Sequence, residues 1–343
     1  MMAAGTRAAP IPGGESGALP TQRVFAFAHR IAEEPLEAIR SDFPTIRILA
    51  PAAGATLPDG LERAQAVAIS WDSPPIETVL DAAPRIEWLH QRGAGIDRIA
   101  GPRLLQSAVV VTNGSGNHAP NIAEHVLGLM LAFARQLPAL IRAQQAAQWK
   151  PPRAEQLFEL SGQTLAVVGA GSIGRALGAR AAALGLRVLG VRRSTHPAED
   201  APGFARVVGI EDLDDVLAEA DHVAIALPLT EQTRGLFSAA RLARLKRGAY
   251  LYNVGRGGLV DHAALLEALR SGRLAGAGLD VTDPEPLPAD SPLWHEPGVI
   301  VTAHSSGNTP HSFERYRALL VDNIGRWSRG EPLRNVVDLR LGY

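Results

Sequence analysis

A glycine-rich turn between two apolar runs constrains the fold of this chain more than any other part of its sequence. Residues 165–196 read LAVVGAGSIGRALGARAAALGLRVLGVRRSTH, which predicts a strand, a G-x-G-x-x-G turn, a helix and a second strand. Such a unit is typical of a doubly wound parallel sheet, in which the turn and the helix N-terminus bind the pyrophosphate of a dinucleotide. The sequence therefore predicts a dinucleotide-binding domain.

The residues of this turn are the first candidates for cofactor contacts. Gly169 permits a tight turn, Gly171 lets backbone approach a phosphate, and Gly174 lets the helix pack on the strand. Free N–H groups in the first helical turn suit phosphate oxygens. The predicted contacts are Gly169, Gly171, Ser172, Ile173 and Gly174. The alternative is a glycine turn without a ligand.

Two arginines stand where a dinucleotide site usually carries an acidic residue. An acid about 20 residues past the glycines binds the ribose hydroxyls of NAD(H). In this chain the second strand is followed by Arg192, Arg193 and Ser194. Because a guanidinium group suits phosphate, these residues favour NADP(H), with NAD(H) as the alternative cofactor. A second interpretation is an arginine pair that only ends a solvated strand.

The remaining chain alternates apolar runs with helical stretches and predicts two α/β domains. Five short runs precede residue 118, and six follow Thr164: RVFAFAH, IRILA, AVAIS, IEWLHQ and VVVTN, then TLAVVG, RVLGV, HVAIAL, AYLYNV, AGAGLDV and VIVTAH. The predicted organisation is a disordered leader over 1–20, a substrate domain over 21–118 with 312–343, and a Rossmann domain over 119–311. Between the strands of the second domain we predict helices that include AARLARLK.

One long amphipathic helix is predicted at the start of the second domain. Apolar residues recur at helical spacing in APNIAEHVLGLMLAFARQLPALIRAQQAAQW, with a break near Pro138. Asn121 is the predicted N-cap, with Glu124 as its capping-box partner.

Composition excludes several classes of protein. The formal net charge of −1 offers no basic field for nucleic acid or an anionic membrane. The absence of cysteine excludes disulfides and thiolate metal sites, and it is compatible with a cytoplasmic location. No apolar run approaches the roughly 20 residues of a membrane helix. His295-Glu296 lacks the second histidine of a metal helix, so no metal site is predicted.

Polar residues stand directly after three of the predicted strands. A strand with only a structural role would not need such residues at its end. Arg256 lies in NVGRG, Asp280 and Glu285 lie in LDVTDPEPLP, and His304 lies in VTAHSSG. Because the carboxyl ends of parallel strands line the ligand crevice, these ends indicate a site. Arg256 can bind a carboxylate, and His304 can transfer a proton to a carbonyl oxygen. Glu285 can orient the imidazole and favour its charged form.

Taken together, these segments closely resemble the D-isomer-specific 2-hydroxyacid dehydrogenases, which include glyoxylate/hydroxypyruvate reductases and phosphoglycerate dehydrogenase. The resemblance spans about Arg23 to Tyr343. The segments that carry it are GAGID, NIAEHVLGLMLAFAR, GAGSIGRALG, LPLTEQTRGL, NVGRGGLVD, GLDVTDPEPLP, SPLW and VTAHSSG.

The resemblance implies a fold, a reaction and further site residues. The fold would be a flavodoxin-like and a dinucleotide-binding domain, both with parallel sheets, with an active-site cleft between them. The reaction would reduce a small anionic 2-keto acid to a 2-hydroxy acid, with Arg256, Glu285 and His304 as catalytic residues. The long helix would form a homodimer interface; the alternative is an intramolecular helix between the two domains. Substrate contacts would come from Ala94, Gly95, Arg256 and His304, and further cofactor contacts from Leu227, Pro228, Thr233, Val254, Gly255 and Asp280.

The sequence departs from the family pattern at two positions and leaves other functions open. Ala303 stands where family members usually have proline before the catalytic histidine, which we expect to loosen the strand end. Arg192 replaces the common acid, as in NADP-preferring members. A nucleotide-binding scaffold resembling a corepressor is one alternative. A phosphite or formate dehydrogenase is another, although formate oxidation in this fold typically pairs the histidine with Gln where this chain has Glu285.

Overall fold

The computed structural model describes residues 22–193 and 202–342, and within them the chain forms twelve strands and ten α-helices. The strands are β1 (Val24–Phe27), β2 (Arg47–Leu49), β3 (Ala66–Ile69), β4 (Trp88–Gln91), β5 (Val110–Asn113), β6 (Thr164–Val168), β7 (Arg187–Val191), β8 (Arg206–Val208), β9 (His222–Ile225), β10 (Ala249–Asn253), β11 (Leu274–Leu279) and β12 (Val299–Val301). The helices are α1 (Glu33–Asp42), α2 (Ile76–Ala82), α3 (Pro102–Leu105), α4 (Ala119–Ala134), α5 (Leu137–Gln145), α6 (Ser172–Ala183), α7 (Leu213–Glu219), α8 (Ala239–Leu242), α9 (His262–Arg270) and α10 (Pro310–Arg329).

The chain divides into two compact units, which are described separately. Unit 1 contains the residues before His118 together with those after Thr309, and unit 2 contains His118–Thr309. The predicted leader over 1–20 lies outside the described residues, as does Ser194.

Unit 1 is built on five parallel strands in the order β2-β1-β3-β4-β5, which is the flavodoxin-like order. Its strands are buried on both faces, so the sequence reads as continuous apolar runs rather than alternating ones. In β1, Val24 and Ala26 face one core, and Phe25 and Phe27 face the other. Helix α10 covers the second face and buries Trp327 there. All five predicted strands of this unit are confirmed.

Unit 2 is built on seven parallel strands in the order β12-β11-β10-β9-β6-β7-β8. The order reverses at β6, next to β9, and ligands bind at such a switch point in doubly wound sheets. The six strands predicted after Thr164 are confirmed. The seventh, β8, was not predicted because it has three residues and begins with an exposed arginine. Helix α8 is shorter than predicted and ends at Leu242.

The long helix at the start of unit 2 is interrupted, and its predicted N-cap is wrong. Helices α4 and α5 meet at an angle of 68° at a break that contains Gln136, whose φ is 55°. Pro138 lies in the first turn of α5, where its missing N–H costs no hydrogen bond. Asn121 lies inside α4, which begins at Ala119. Its side chain bonds another loop, so the capping-box pattern misplaced the helix start.

The described helices were compared with the length and apolarity that a bilayer requires. No single one of them is long and apolar enough to cross a membrane. Only α4 and α5 together reach the required length and apolarity, and they are sharply bent. One face of α4 is buried in the core of unit 2.

Two buried histidines predict that the protein loses stability in mild acid. Burial lowers the pKa of His222 to about 4 and that of His90 to about 3. Because both values lie below the ordinary 6.5, the unfolded chain binds more protons as pH falls from about 6.5 towards 4. The free energy of unfolding should therefore fall in this window, by about 2 kcal/mol per histidine at about pH 5. Denaturant titrations at about pH 7 and about pH 5 measure the difference.

A variant at His222 separates this effect from general acid sensitivity. The ring bonds the Tyr252 hydroxyl at 3.1 Å and Gln163 Oε1 at 2.5 Å, and it stacks on Tyr250 with a centroid separation of 5.4 Å. His222→Phe keeps the stacking but cannot be protonated. We expect this variant to be less stable near pH 7 and to show a smaller loss on acidification. If acidification lowered the free energy of unfolding of this variant as much as that of the parent protein, the role of His222 would be contradicted.

Candidate functional site

The glycine-rich turn joins β6 to α6 as predicted. Gly169 has φ of 108°, and an added Cβ would lie 2.5 Å from the carbonyl oxygen of Ala226. A Cβ on Gly174 would lie 2.2 Å from the Gly169 carbonyl oxygen, so helix and strand approach too closely for any side chain. Among the described residues, nothing lies within 4 Å of a Cβ added at Gly171. The described packing therefore does not require this glycine, and the open space beside its backbone fits a phosphate.

The first turn of α6 adds backbone N–H donors beside the glycine-rich turn. Gly171 is the N-cap residue and makes no side-chain cap, and Ser172 and Ile173 are the first helical residues. Their backbone N–H groups lie at the positive end of a helix dipole, where anions bind. These residues fit the pyrophosphate of NAD(P), and they would hold it through backbone donors.

The two arginines follow β7 beside this turn. The N–H groups of Gly169 and Ala170 both donate to the carbonyl oxygen of Val191, at 2.9 and 3.1 Å. Arg192 is the next residue, and its N–H donates to Val208 of the edge strand β8 at 3.0 Å. Arg192 is half-buried and Arg193 is exposed. The two arginines therefore follow directly after Val191, the residue that the glycine-rich turn bonds.

The loop after β9 holds three further predicted cofactor contacts. Leu227 and Pro228 are half-buried at the strand end. Thr233 donates its hydroxyl to the carbonyl oxygen of Pro228 at 2.7 Å and accepts from the Thr230 N–H at 2.8 Å. These bonds give Thr233 a role in shaping the loop, and its contact with a cofactor stays a prediction.

Asn253 shapes the loop that carries Arg256. Its Nδ2 donates to the Arg256 carbonyl oxygen at 2.9 Å, and its Oδ1 accepts from the Gly255 N–H at 3.1 Å. Val254 continues the sheet by donating to Ile225 at 3.1 Å. Arg256 is half-buried, and its Nη1 donates to the Gly255 carbonyl oxygen at 2.8 Å. The sequence indicated Arg256 as a site residue. The structure adds that the buried side-chain amide of Asn253 fixes the backbone of the loop that carries it.

His304 and Glu285 form the ion pair that the sequence suggested. His304 Nδ1 lies 2.5 Å from Glu285 Oε1, and 47% of the histidine side chain is exposed. Because a carboxylate only accepts, Nδ1 carries a proton, and Nε2 is the nitrogen available to exchange a proton with a ligand. The Arg256 loop reaches the same region, because a Cβ on Gly257 would lie 2.0 Å from the backbone of Thr282.

Asp280 was predicted to contact the cofactor, but its carboxylate holds the loop around His304. The side chain is buried, and its oxygens accept from Thr302 Oγ1 at 2.7 Å, from the Ser305 N–H at 2.9 Å and from Ser306. The backbone of Asp280 accepts from the His304 N–H at 2.6 Å. A cofactor contact by Asp280 therefore stays a prediction beside an observed structural role.

Two side chains of α4, together with that of His118 directly before the helix, bond the same loop, and sequence reasoning assigned none of them to it. Asn121 Nδ2 donates to the Ser306 carbonyl oxygen at 2.7 Å. His118 Nδ1 donates to the Gly307 carbonyl oxygen at 2.8 Å, and His125 Nε2 lies 2.9 Å from Thr302 Oγ1. The segment NIAEH was part of the family resemblance. The spacing of its polar residues was the signal from which these contacts could have been predicted.

The backbone at His304 is left-handed at two consecutive residues. Ala303 has φ of 49° and His304 has φ of 54°, a region that side chains other than glycine occupy at a cost. The bonds to Asp280 compensate for that cost. The expectation that alanine merely loosens the strand end is revised, because proline fixes φ near −65° and cannot adopt this conformation.

Ala303→Pro is therefore expected to displace His304 and to lower kcat by about 10-fold or more, since small misplacements of reacting groups are costly. Ala303→Gly should keep kcat, because glycine accepts positive φ without strain. Steady-state kinetics of the two variants test the effect, with circular dichroism to check folding. Normal kcat in a folded proline variant would contradict the left-handed loop.

Two predicted substrate contacts lie in unit 1. Ala94 and Gly95 follow β4, and the Ala94 carbonyl oxygen accepts from Asn113 Nδ2 at 2.7 Å. Gln91 Nε2 lies 3.4 Å from the Gly95 carbonyl oxygen. The loop is thus held from two strand ends, and its contact with a substrate carboxylate stays a prediction. Among the described residues, no group of three or more His, Asp or Glu side chains could hold a metal ion.

Comparison with known proteins finds similarity over most of the chain. Residues 127–306 match the profile of the D-isomer specific 2-hydroxyacid dehydrogenase NAD binding domain. A glyoxylate reductase of Korarchaeum cryptofilum is 33% identical over 279 residues, covering 79% of this chain and 82% of the relative. A D-isomer specific 2-hydroxyacid dehydrogenase from Xanthobacter autotrophicus Py2, crystallised with NADPH and MES, matches with a TM-score of 0.80 and 33% identity, covering 94% of this chain and all of that one.

Other relatives are longer than this chain. A D-3-phosphoglycerate dehydrogenase of Archaeoglobus fulgidus is 29% identical over 314 residues, which is 91% of this chain but only 58% of the relative. The chain therefore spans little more than half the length of that protein, and the similarity does not extend to its remaining part.

Proposed function

Because the chain belongs to the D-isomer specific 2-hydroxyacid dehydrogenases, we propose that it reduces a small 2-keto acid of the glyoxylate or hydroxypyruvate type to the D-2-hydroxy acid. The observation that carries this proposal is the 2.5 Å contact between Nδ1 of His304, which follows β12, and Oε1 of Glu285, which follows β11. A histidine fixed by a carboxylate can act as a general acid. Arg256 follows β10, which is separated from β12 only by β11.

The roles of the side chains follow from the charge that develops in the substrate. Arg256 binds the carboxylate and draws electron density toward the keto oxygen with directed N–H donors. Ala94 and Gly95 supply further contacts to the carboxylate. Bound NADPH would supply the hydride that adds to C2. His304, protonated on both ring nitrogens, gives the Nε2 proton to the keto oxygen, and Glu285 stabilises the imidazolium before transfer.

NADP(H) is the proposed cofactor. The half-buried Arg192 and the exposed Arg193 follow β7 where an acid would otherwise bind ribose hydroxyls. The NADPH bound in the Xanthobacter autotrophicus relative supports the same preference. Ser194 belongs to this predicted set but lies outside the described residues.

Initial rates of NADPH and NADH oxidation test the proposal directly. Glyoxylate, hydroxypyruvate, pyruvate, phenylpyruvate and 2-ketoisocaproate sample increasing substrate size. Turnover of a small keto acid with NADPH well above NADH is the expected result. Failure of every substrate in a protein that binds NADPH would favour the scaffold alternative. Turnover of phosphite or formate instead would leave the assigned fold unchanged but would show that the proposed substrate is wrong. A cytoplasmic location stays a prediction from the sequence.

The proposed partner of the protein is a second copy of itself. None of the residues of α5 is buried, and Ile141 and Trp149 are 53% and 100% exposed. Leu131, Leu137 and Leu140 add to this apolar surface. Apolar patches of this kind mark interaction sites, and the family resemblance assigns this region to dimer formation.

Ile141→Glu should therefore weaken the dimer, because it places a charge in an apolar interface. We expect light scattering to give the mass of a dimer for the parent protein and that of a monomer for the variant at low micromolar concentration. Ile210→Glu, at another exposed isoleucine of unit 2, is the matched control. A monomeric parent protein would refute the proposed interface.

A further inference from the structure

Two buried glycines of unit 2 stand inside regular elements, away from the glycine-rich turn. Gly178 lies in the middle of α6, and Gly190 lies in the middle of β7. Neither has the positive φ that glycine adopts more readily than other residues. Because glycine inside a helix or a strand weakens the element relative to alanine, the packing around these two positions has to account for them.

The ring of Phe204 accounts for both glycines. A Cβ added at Gly178 would lie 2.3 Å from Cε2 of this ring, and one added at Gly190 would lie 2.8 Å from Cδ1. Carbon atoms in contact lie about 3.5–4.0 Å apart, so neither position has room for a methyl group. The half-buried ring packs against the core cluster that contains Leu177 and Val188. Phe204 thus fills a slot between α6 and β7 that exists because both positions are glycine.

This slot fixes the start of the edge strand β8. Gly203, directly before the phenylalanine, has φ of 89° and packs closely on α6, because a Cβ there would lie 2.8 Å from the Cα of Ala179. The N–H of Ala205, directly after the phenylalanine, donates to the Val188 carbonyl oxygen at 2.8 Å. The pairing of β8 with β7 therefore begins at the residue that follows the bound ring.

Strand β8 depends on this ring because its other contacts are few. It has three residues, of which Arg206 is exposed, and it is bonded to a neighbouring strand only on the side of β7. Arg206 lies 2.7 Å from Glu219, but both side chains are more than a third exposed, and such ion pairs contribute little. Val208 is a partly buried neighbour of a core cluster. Phe204 is the largest apolar side chain of the segment 202–208, and aromatic burial dominates packing energies of this kind.

The other end of β8 bonds the residue that is proposed to select the cofactor. Val208 pairs with Val191, and its carbonyl oxygen accepts from the Arg192 N–H at 3.0 Å. This bond fixes the backbone from which the Arg192 side chain starts. Displacements of about 1 Å in a binding group are costly, so loosening β8 should weaken what the Arg192 guanidinium binds.

We propose that Phe204 is a positioning residue for cofactor selection. Its ring holds β8 against α6 and β7, and β8 in turn holds the backbone of Arg192 in place for a 2′-phosphate. This inference rests on the proposed preference for NADP(H) and extends it to a residue that acts through Arg192. NADH lacks the 2′-phosphate, so its binding should depend little on Phe204.

Fluorescence titrations with NADPH and with NADH test this selectivity. In Phe204→Ala we expect the Kd for NADPH to rise by about 10-fold, the lower end of what a charge-assisted bond contributes, and the Kd for NADH by less than about 2-fold. Phe204→Leu keeps part of the apolar volume, so it should fold if the alanine variant does not and should show a smaller rise for NADPH.

Phe158→Ala is the matched control for the loss of a half-buried phenylalanine. Phe158 packs against the same core cluster but contacts the rings of His222 and Tyr250, with centroid separations of 5.9 and 5.3 Å. Its removal should lower stability and leave the ratio of the two Kd values as in the parent. An equal loss of affinity for both cofactors in the Phe204 variants would overturn the proposal, as would the same change of the ratio in Phe158→Ala.

Hydrogen exchange of the protein without cofactor separates this inference from the cofactor assignment. The amides of Arg192 and Ala205 bond β7 and β8 together, so they should exchange faster in the Phe204 variants than in the parent and in Phe158→Ala. If the parent bound NADPH and NADH equally well, the cofactor assignment would be wrong, but faster exchange at Arg192 would still support its positioning by Phe204. Unchanged exchange at Arg192 in a folded Phe204 variant would overturn the positioning role, whatever the affinities.

Discussion

His304→Ala is expected to lower kcat by about 10²- to 10⁴-fold, which is the usual contribution of a general acid. The imidazole is held by Glu285 at 2.5 Å, and the backbone N–H of residue 304 is bonded to Asp280 at 2.6 Å. Because the second bond does not involve the side chain, the loop should survive the substitution. Fluorescence titration should accordingly give a Kd for NADPH within about twofold of the parent value, since the glycine-rich turn is untouched.

Two further variants show whether the effect belongs to proton transfer. Glu285→Gln keeps an acceptor for Nδ1–H but removes the charge, so we expect a smaller loss of kcat and an altered pH–rate profile. His295→Ala removes an exposed histidine elsewhere in unit 2 and should leave the kinetics unchanged. If His304→Ala reduced NADPH affinity and kcat in the same proportion, the residue would be a structural one.

The architecture of both sheets was accessible from sequence because parallel strands are buried on both faces. Runs such as the one that forms β6 have no polar interruption, so their number and spacing predicted the two domains. Polar residues directly after β10, β11 and β12 then stood out against those runs. Strand β8 lacked this contrast, since its three residues are at most partly buried.

The contacts that complete the site could not be read from local pattern. Asn121 resembles a helix cap in the sequence, but its amide bonds Ser306, which is 185 residues away. The left-handed backbone at Ala303 depends on Asp280 and cannot be inferred from an alanine. In each case a tertiary contact decides the role of a residue whose type is unremarkable.

The double variant Arg192→Asp, Arg193→Ala is expected to shift cofactor preference from NADPH toward NADH. Each charge-assisted bond to a 2′-phosphate contributes about 1.5–3 kcal/mol, so the ratio of kcat/KM for NADPH over NADH should fall by about 10²-fold or more. The new carboxylate would also accept from the ribose hydroxyls and repel a 2′-phosphate. Initial rates with both cofactors, at saturating keto acid, measure the ratio.

The position of Arg192 makes this shift a sharp test of the cofactor assignment. The bonds from Gly169 and Ala170 to Val191 place the start of residue 192 beside the glycine-rich turn, so a cofactor bound on that turn as proposed would have its adenosine ribose toward this strand end. Arg244→Asp, at an exposed arginine elsewhere in unit 2, controls for the altered charge. An unchanged ratio in the double variant would mean that the arginines point into solvent and that preference is set elsewhere. If the ratio of kcat/KM for NADPH over NADH also fell in Arg244→Asp, the cofactor preference would be due to the overall electrostatic field of the protein.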